Sequence, residues 1–187
     1  ASFKPIKHII KNLDEIPSPF KSGLADPFLK QGLMPMIETH RGCPFPCTFC
    51  DWGDATLGKV YMYSVERIKQ DIEFCRQNAV DERFMIDDAN FGLLGKRDLE
   101  VAQFIRDLRD NHGWPGKLII TWGQSKSDVV LQIAETLKDL CMMTQSSQSM
   151  NPEVLKNITH QLHTPELERL ICVLILQYTL IKQMQDK

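Results

Sequence analysis

The segment Arg41-Gly42-Cys43-Pro44-Phe45-Pro46-Cys47-Thr48-Phe49-Cys50-Asp51-Trp52-Gly53 places three cysteines in a C-x3-C-x2-C spacing, in a loop between two extended-looking stretches. Thiolates are the soft ligands that hold iron–sulfur clusters, and three of them on a [4Fe–4S] cubane leave one iron without a protein ligand. An open coordination position separates a catalytic metal site from a closed structural one, as it does for zinc. A zinc site is the alternative. It needs a fourth ligand, and His40, Cys75 and His112 are candidates, though none stands at a familiar spacing.

The chain has 187 residues, which suits one domain with a proper core and is too short for two comfortable ones. Its apolar content of 43% and charged content of 25% are those of an ordinary globular protein. The formal net charge of −2 gives no basic field, so bulk charge argues against nucleic acid as a partner. Of six cysteines, Cys75, Cys141 and Cys172 are scattered through regular-looking segments, where such residues usually serve as small buried hydrophobes. With no signal peptide in view, this inventory predicts a reduced, cytoplasmic protein and no membrane partner. The longest apolar run, Leu170 to Leu176, is far shorter than the roughly 18 residues of a membrane span.

Four βα units are expected between residues 35 and 159. Met36 to Thr39 is the first strand and leads straight into the cysteine loop. Ser64 is the expected N-cap of a helix carrying Val65, Ile68, Ile72 and Cys75 at helical period. Arg83 to Ile86 is a second strand, ending in Asp87-Asp88-Ala89-Asn90-Phe91-Gly92. A second helix over residues 96–111 buries Leu99, Ala102, Ile105 and Leu108, and His112-Gly113 closes it. Lys117 to Trp122 reads as a strand buried on both faces. A third helix from Ser127-Asp128 turns Val130, Ile133, Leu137 and Leu140 inward. Met142 to Gln145 is the fourth strand, and Asn151-Pro152-Glu153 opens a fourth helix with an N-cap, a proline and an acidic first turn. Strands alternating with helices predict an α/β fold with parallel strands and right-handed crossovers. Before it, residues 1–34 read as a linker, since Pro17 and Pro19 hold the chain extended.

The cysteine spacing, with aromatic Phe49 before the last cysteine, resembles the signature of the radical S-adenosylmethionine (SAM) superfamily. The wider string Glu38-Thr39-His40-Arg41-Gly42-Cys43-Pro44 through Asp51-Trp52-Gly53 is similar to the subgroup whose members often carry a cobalamin-binding domain. Ile16-Pro17-Ser18-Pro19-Phe20 resembles the segment that joins that domain to the barrel. The resemblance implies a partial (β/α) TIM-type barrel, here with about four parallel βα units and so incomplete. It implies a [4Fe–4S] cluster on Cys43, Cys47 and Cys50, and reductive cleavage of SAM to a 5′-deoxyadenosyl radical that attacks a substrate the sequence does not name. An electron donor such as flavodoxin or ferredoxin is implied, and methyl transfer through cobalamin where that domain is present.

Cofactor contacts are expected at the C-terminal ends of the strands, where parallel βα folds bind their ligands. In the family, the Phe49 position meets the adenine of SAM, and the strand end with Asp87, Asp88 and Asn90 holds its ammonium. Adjacent carboxylates suit a cleft or a partner, since burying unpaired charge is costly. Gln124 after the third strand and Gln145, Ser147 and Gln148 after the fourth offer neutral donors and acceptors for a ribose and carboxylate. Beyond these units the family pattern stops. Residues 160–187 read as an apolar helix or a tail, with positions 167, 170, 171, 174, 178 and 181 on one face. That departure keeps two other readings open, a truncated remnant that holds a cluster without turnover and a zinc-binding interaction module.

Overall fold

The computed structural model of the chain describes residues 10–48, 50, 58–122, 128–144, 149 and 151–157. After a short 3-10 turn over Leu13–Glu15, the elements in order are α1 (Asp26–Lys30), β1 (Met36–Ile37), β2 (His40–Arg41), β3 (Tyr61–Met62), α2 (Val65–Asn78), β4 (Arg83–Phe91), α3 (Lys96–His112), β5 (Lys117–Trp122), α4 (Asp128–Thr136), β6 (Cys141–Thr144) and α5 (Pro152–Asn157). β1, β4, β5 and β6 form a four-stranded parallel sheet in that order, and β2 pairs with β3 in a small antiparallel ribbon. The α/β alternation is as expected from the sequence. The apolar run over residues 160–187 lies outside the described residues.

Strand order follows chain order, so each crossover steps in the same direction across the sheet. Right-handed crossovers that never reverse carry their helices to one face. The core bears this out, since Phe84, Ile86, Leu118 and Ile120 of the sheet share one cluster with Ile68, Ile72, Val101, Ile105, Val130 and Ile133 of the helices. Each such side chain contributes about 2 kcal/mol by leaving water. The other face is more open, with Met36 45% exposed and Asp87 and Thr121 exposed.

The local signals that start and stop the helices work as chemistry dictates. The Ser64 hydroxyl accepts the Arg67 N–H at 3.2 Å and so caps α2. Gly113, at φ +72°, ends α3 in the left-handed conformation and donates its N–H to the Arg109 carbonyl.

In the stretch read as a linker, residues 13–29 make contacts with the domain. Phe20 and Leu29 belong to the main core, and the Phe20 and Phe74 rings lie 6.3 Å apart. The Ser18 hydroxyl donates to Asp71 at 2.6 Å, and Arg67 links the Asp71 carboxylate to the Ile16 carbonyl. Pro17 and Pro19 fix the chain's path, and the residues between and after them supply the contacts.

β4 is longer than its apolar run. The strand continues through Asp87, Asp88, Ala89 and Asn90 to Phe91, and its register with β5 slips between Ile86↔Ile120 and Phe91↔Trp122. Five steps along β4 oppose two along β5, so the extra residues form a bulge. Bulges re-aim side chains beside functional sites, and this one carries the polar residues at the strand's C-terminal end.

Candidate cluster site

β1 ends at Ile37, and the chain then passes through Thr39 and His40 into the cysteine loop. Thr39 and His40 are 0% and 1% exposed, and Asp88 on β4 is 2% exposed. One Asp88 oxygen, Oδ1, accepts the backbone N–H groups of Thr39 at 2.6 Å and His40 at 3.1 Å. The other, Oδ2, accepts the Thr39 hydroxyl and faces His40 Nδ1 at 3.1 Å. Three donors thus bond the carboxylate, and His40 Nδ1 is a fourth close contact. The Asp88 carboxylate is thus engaged within the protein rather than facing the open cavity. It holds the entry of the loop in place. His40 Nε2 is left buried with no hydrogen-bond partner among the described residues.

A second buried acid supports the same corner. Asp98, in the first turn of α3 and 0% exposed, accepts the N–H groups of Gly92 and Leu94 at 2.9 Å each and the Arg97 guanidinium at 3.0 Å. Burial pushes its carboxyl above the usual range, while the Leu94 N–H and Arg97 act in the opposite direction. Arg97 also donates to the carbonyls of Thr39 at 2.8 Å and Tyr63 at 2.7 Å, tying the loop's entry to the segment that follows β3. Neither residue stands out in the sequence. An Arg-Asp pair behind a glycine turn is the only available signal. Gly92 is needed there, because its φ is +96° and an added Cβ would meet Val130 Cγ2 at 3.2 Å.

The three loop cysteines are brought together. Cys43 and Cys47 are each 8% exposed, Cys50 is half-buried, and the Cys50 N–H donates to the Cys47 carbonyl at 3.1 Å. Burial raises the Cys47 thiol above its ordinary range, and the neighbouring Cys43 and Cys50 add to that. Asn90, also on β4 and 7% exposed, donates its side-chain N–H to Cys43 Sγ at 3.0 Å. The donor set fits the chemistry of an iron–sulfur cluster, with three soft sulfurs on one loop and an amide N–H on one of them. Among the described residues no three ligating side chains converge on a single ion. A cubane does not need them to, because each thiolate takes its own iron.

Among the described residues, Cys75 and Cys141 play no part in the site, and Cys172 lies outside them. Cys75 is fully buried in α2, where burial first and Asp71 second push its thiol up to about 12. Cys141 at the start of β6 is likewise pushed up to about 12 by burial. Cys75 and His112 lie toward the C-terminal ends of α2 and α3. Helices of parallel βα units run back along the strands, so these ends sit away from the loop. That leaves neither as a fourth ligand.

Asp87 is separated from Asp88. It is exposed and lines a cavity of about 440 Å³ with Glu38, Arg41, Tyr63, Arg67 and Phe20 among its walls. Arg41 is taken by Glu38 at 2.6 Å, and Arg67 by Asp71 at 2.8 Å. No described residue pairs with Asp87 through a hydrogen bond or ion pair. Phe49, Gln124, Gln145, Ser147 and Gln148 lie outside the described residues. Of the expected contacts, Asn90 sets its amide on Cys43 Sγ and Asp87 lines the open cavity.

No family model matches the chain. Among curated proteins it is 35% identical over 153 residues to a 2-(S-pantetheinyl)-carbapenam-3-carboxylate methyltransferase of Streptantibioticus cattleyicolor, covering 77% of this chain and 22% of that protein. It is 34% identical over 158 residues to the cobalamin-dependent radical SAM methyltransferase TokK of Streptomyces tokunonensis, covering 80% and 23%. The chain thus spans under a quarter of the length of these relatives. Among solved structures it resembles the radical SAM methyltransferase TsrM of Kitasatospora setae. One TsrM structure, with tryptophan and a SAM analogue bound, matches at a TM-score of 0.63 and 20% identity over 81% of this chain and 30% of that one. Another, with cobalamin and a [4Fe–4S] cluster, matches at 0.65 and 19% over 81% and 28%. These two likenesses establish the shared fold.

Proposed function

We propose, from the chain's kinship over about four fifths of its length with cobalamin-dependent radical SAM methyltransferases, that it forms the cluster-binding part of such an enzyme. Its sheet, with α2, α3 and α4 packed on one face, is the opening portion of a (β/α) barrel whose lumen is the bare side. Cys43, Cys47 and Cys50 would hold a [4Fe–4S] cluster with one iron open to SAM. When bound, that pair supplies reductive cleavage of SAM and a 5′-deoxyadenosyl radical, and with cobalamin a route to methyl transfer.

The chain's own residues bind, orient and shield. Asp88, Asp98 and Arg97 fix the loop's entry, so that the thiols are presented without a large ordering cost at the moment of binding. Burial of Cys43 and Cys47 keeps water from two of the three sulfurs. Asp87, unpaired among the described residues and facing the cavity, is the acid available for the ammonium of SAM. Its carboxylate offers charge-assisted acceptance that Asp88 has already spent on the backbone.

Beside the kinship, the observation that supports this reading is the loop with Cys43, Cys47 and Cys50, two of them buried, at the C-terminal edge of a parallel sheet, with the Asn90 amide on Cys43 Sγ. Anaerobic reconstitution with iron and sulfide, reduction, and assay for 5′-deoxyadenosine from SAM tests it. Product above the cluster-free control is expected. A cluster that forms and leaves SAM intact would point instead to a cluster-binding module without turnover. Stoichiometric zinc from aerobic purification, with no iron uptake, would point to a zinc module.

A further inference from the structure

The geometry points to Asn90 as a positioning residue that sets the reduction potential of the cluster by donating its amide N–H to Cys43 Sγ. This rests on the cluster reading above, and goes beyond it by assigning the donor. Asn90 stands two residues beyond Asp88 on the bulged end of β4, so the strand grips the incoming loop at two successive levels. Asp88 holds Thr39 and His40, and Asn90 reaches Cys43 at 3.0 Å. Asn90 is 7% exposed, and its backbone carbonyl accepts the Leu93 N–H at 3.2 Å.

The amide orientation follows from chemistry. An iron-bound cysteine is a thiolate, which accepts and cannot donate, so only the Nδ2 side of the amide is attractive toward it. Cys43 is 8% exposed, and in such a shielded place a hydrogen bond to charged sulfur is stronger than in water. Reduction adds one negative charge, shared with the sulfurs. A donor on sulfur favours the reduced form more than the oxidised one and raises the potential. Partners in the second layer around a metal tune it in this way.

EPR-monitored redox titration of the reconstituted protein tests this, with variants Asn90→Leu, Asn90→Asp and Asn90→Gln. Iron content and the thermal midpoint of each apo form serve as controls. Asn90→Leu is of similar size and lacks the donor. Its ratio of reduced to oxidised cluster at the wild-type midpoint is expected to fall about tenfold, a shift of about 59 mV to lower potential for one electron. Asn90→Asp sets an anion beside the thiolate and is expected to fall further. Asn90→Gln, which keeps an amide donor, is expected nearest to the wild type.

Loss of the cluster from the leucine and aspartate variants with retention in the glutamine variant also supports the donor role. Equal potentials in all forms overturn the inference while leaving the cluster reading intact, as does loss of the cluster from all three variants with their folds preserved. A wild type that assembles no cluster overturns both.

Discussion

Cys47→Ala is expected to abolish cluster assembly, with iron falling to background and 5′-deoxyadenosine to the level of a cluster-free control, while the fold stands. Cys47 is the middle ligand, 8% exposed, and both other loop cysteines act on its thiol. Two remaining thiolates cannot hold a cubane that needs three. No other cysteine described can take its place, because Cys75 is fully buried in the helix core and Cys141 begins the far strand, each with its thiol pushed up to about 12. The fold should survive, since no described residue of the loop belongs to the hydrophobic core between sheet and helices. Iron and sulfide analysis with circular dichroism measures both effects. Wild-type iron content in Cys47→Ala would contradict the assignment.

The second large effect belongs to Asp88, whose four close contacts are all made to Thr39 and His40. Asp88→Ala removes every one and strands buried donors. Deleting one partner of a buried charged network costs about 3–5 kcal/mol, which corresponds to a fall of roughly 10 °C in Tm for a domain of this size. Asp88→Asn keeps the shape but replaces the oxygen that accepts the Thr39 hydroxyl with an NH2, at a cost of about 1–3 kcal/mol. Cluster uptake should fall in parallel, because the loop's entry is no longer held. Thermal unfolding of the apo proteins separates this from a role in binding SAM. A ligand-contacting carboxylate predicts wild-type stability and weakened SAM binding in Asp88→Asn, and that result would contradict the structural role.

Much of the scaffold was legible because its signals are local and periodic. Ile68, Ile72 and Cys75 on α2, and Ala102, Ile105 and Leu108 on α3, recur at helical spacing and are buried as that spacing requires. Ser64 and Gly113 mark helix ends through chemistry confined to one turn. The site was harder to read. The end of β4 looks like a polar loop because Asp87, Asp88 and Asn90 interrupt the apolar run, yet two of the three are buried. What pays for their burial is contact with Thr39, His40 and Cys43, some 47 to 49 residues earlier in the chain. Neither spacing nor composition reveals such pairings. Arg97 was missed for the same reason, since its acceptors are carbonyls of Thr39 and Tyr63. The β2 and β3 pair escaped because two-residue strands carry no alternation to detect. The docking of residues 13–29 depends on Ser18, Phe20 and Leu29 finding partners on or near α2, which no proline count foretells.

The claim at the centre of this account is that three thiolates leave one iron open to SAM. EPR of the anaerobically reconstituted and reduced protein, recorded with and without SAM, tests it most directly. A [4Fe–4S] signal whose g-values change on addition of SAM is the expected result. A cluster signal that SAM leaves unaltered would mean that the fourth iron is closed, and would contradict the account.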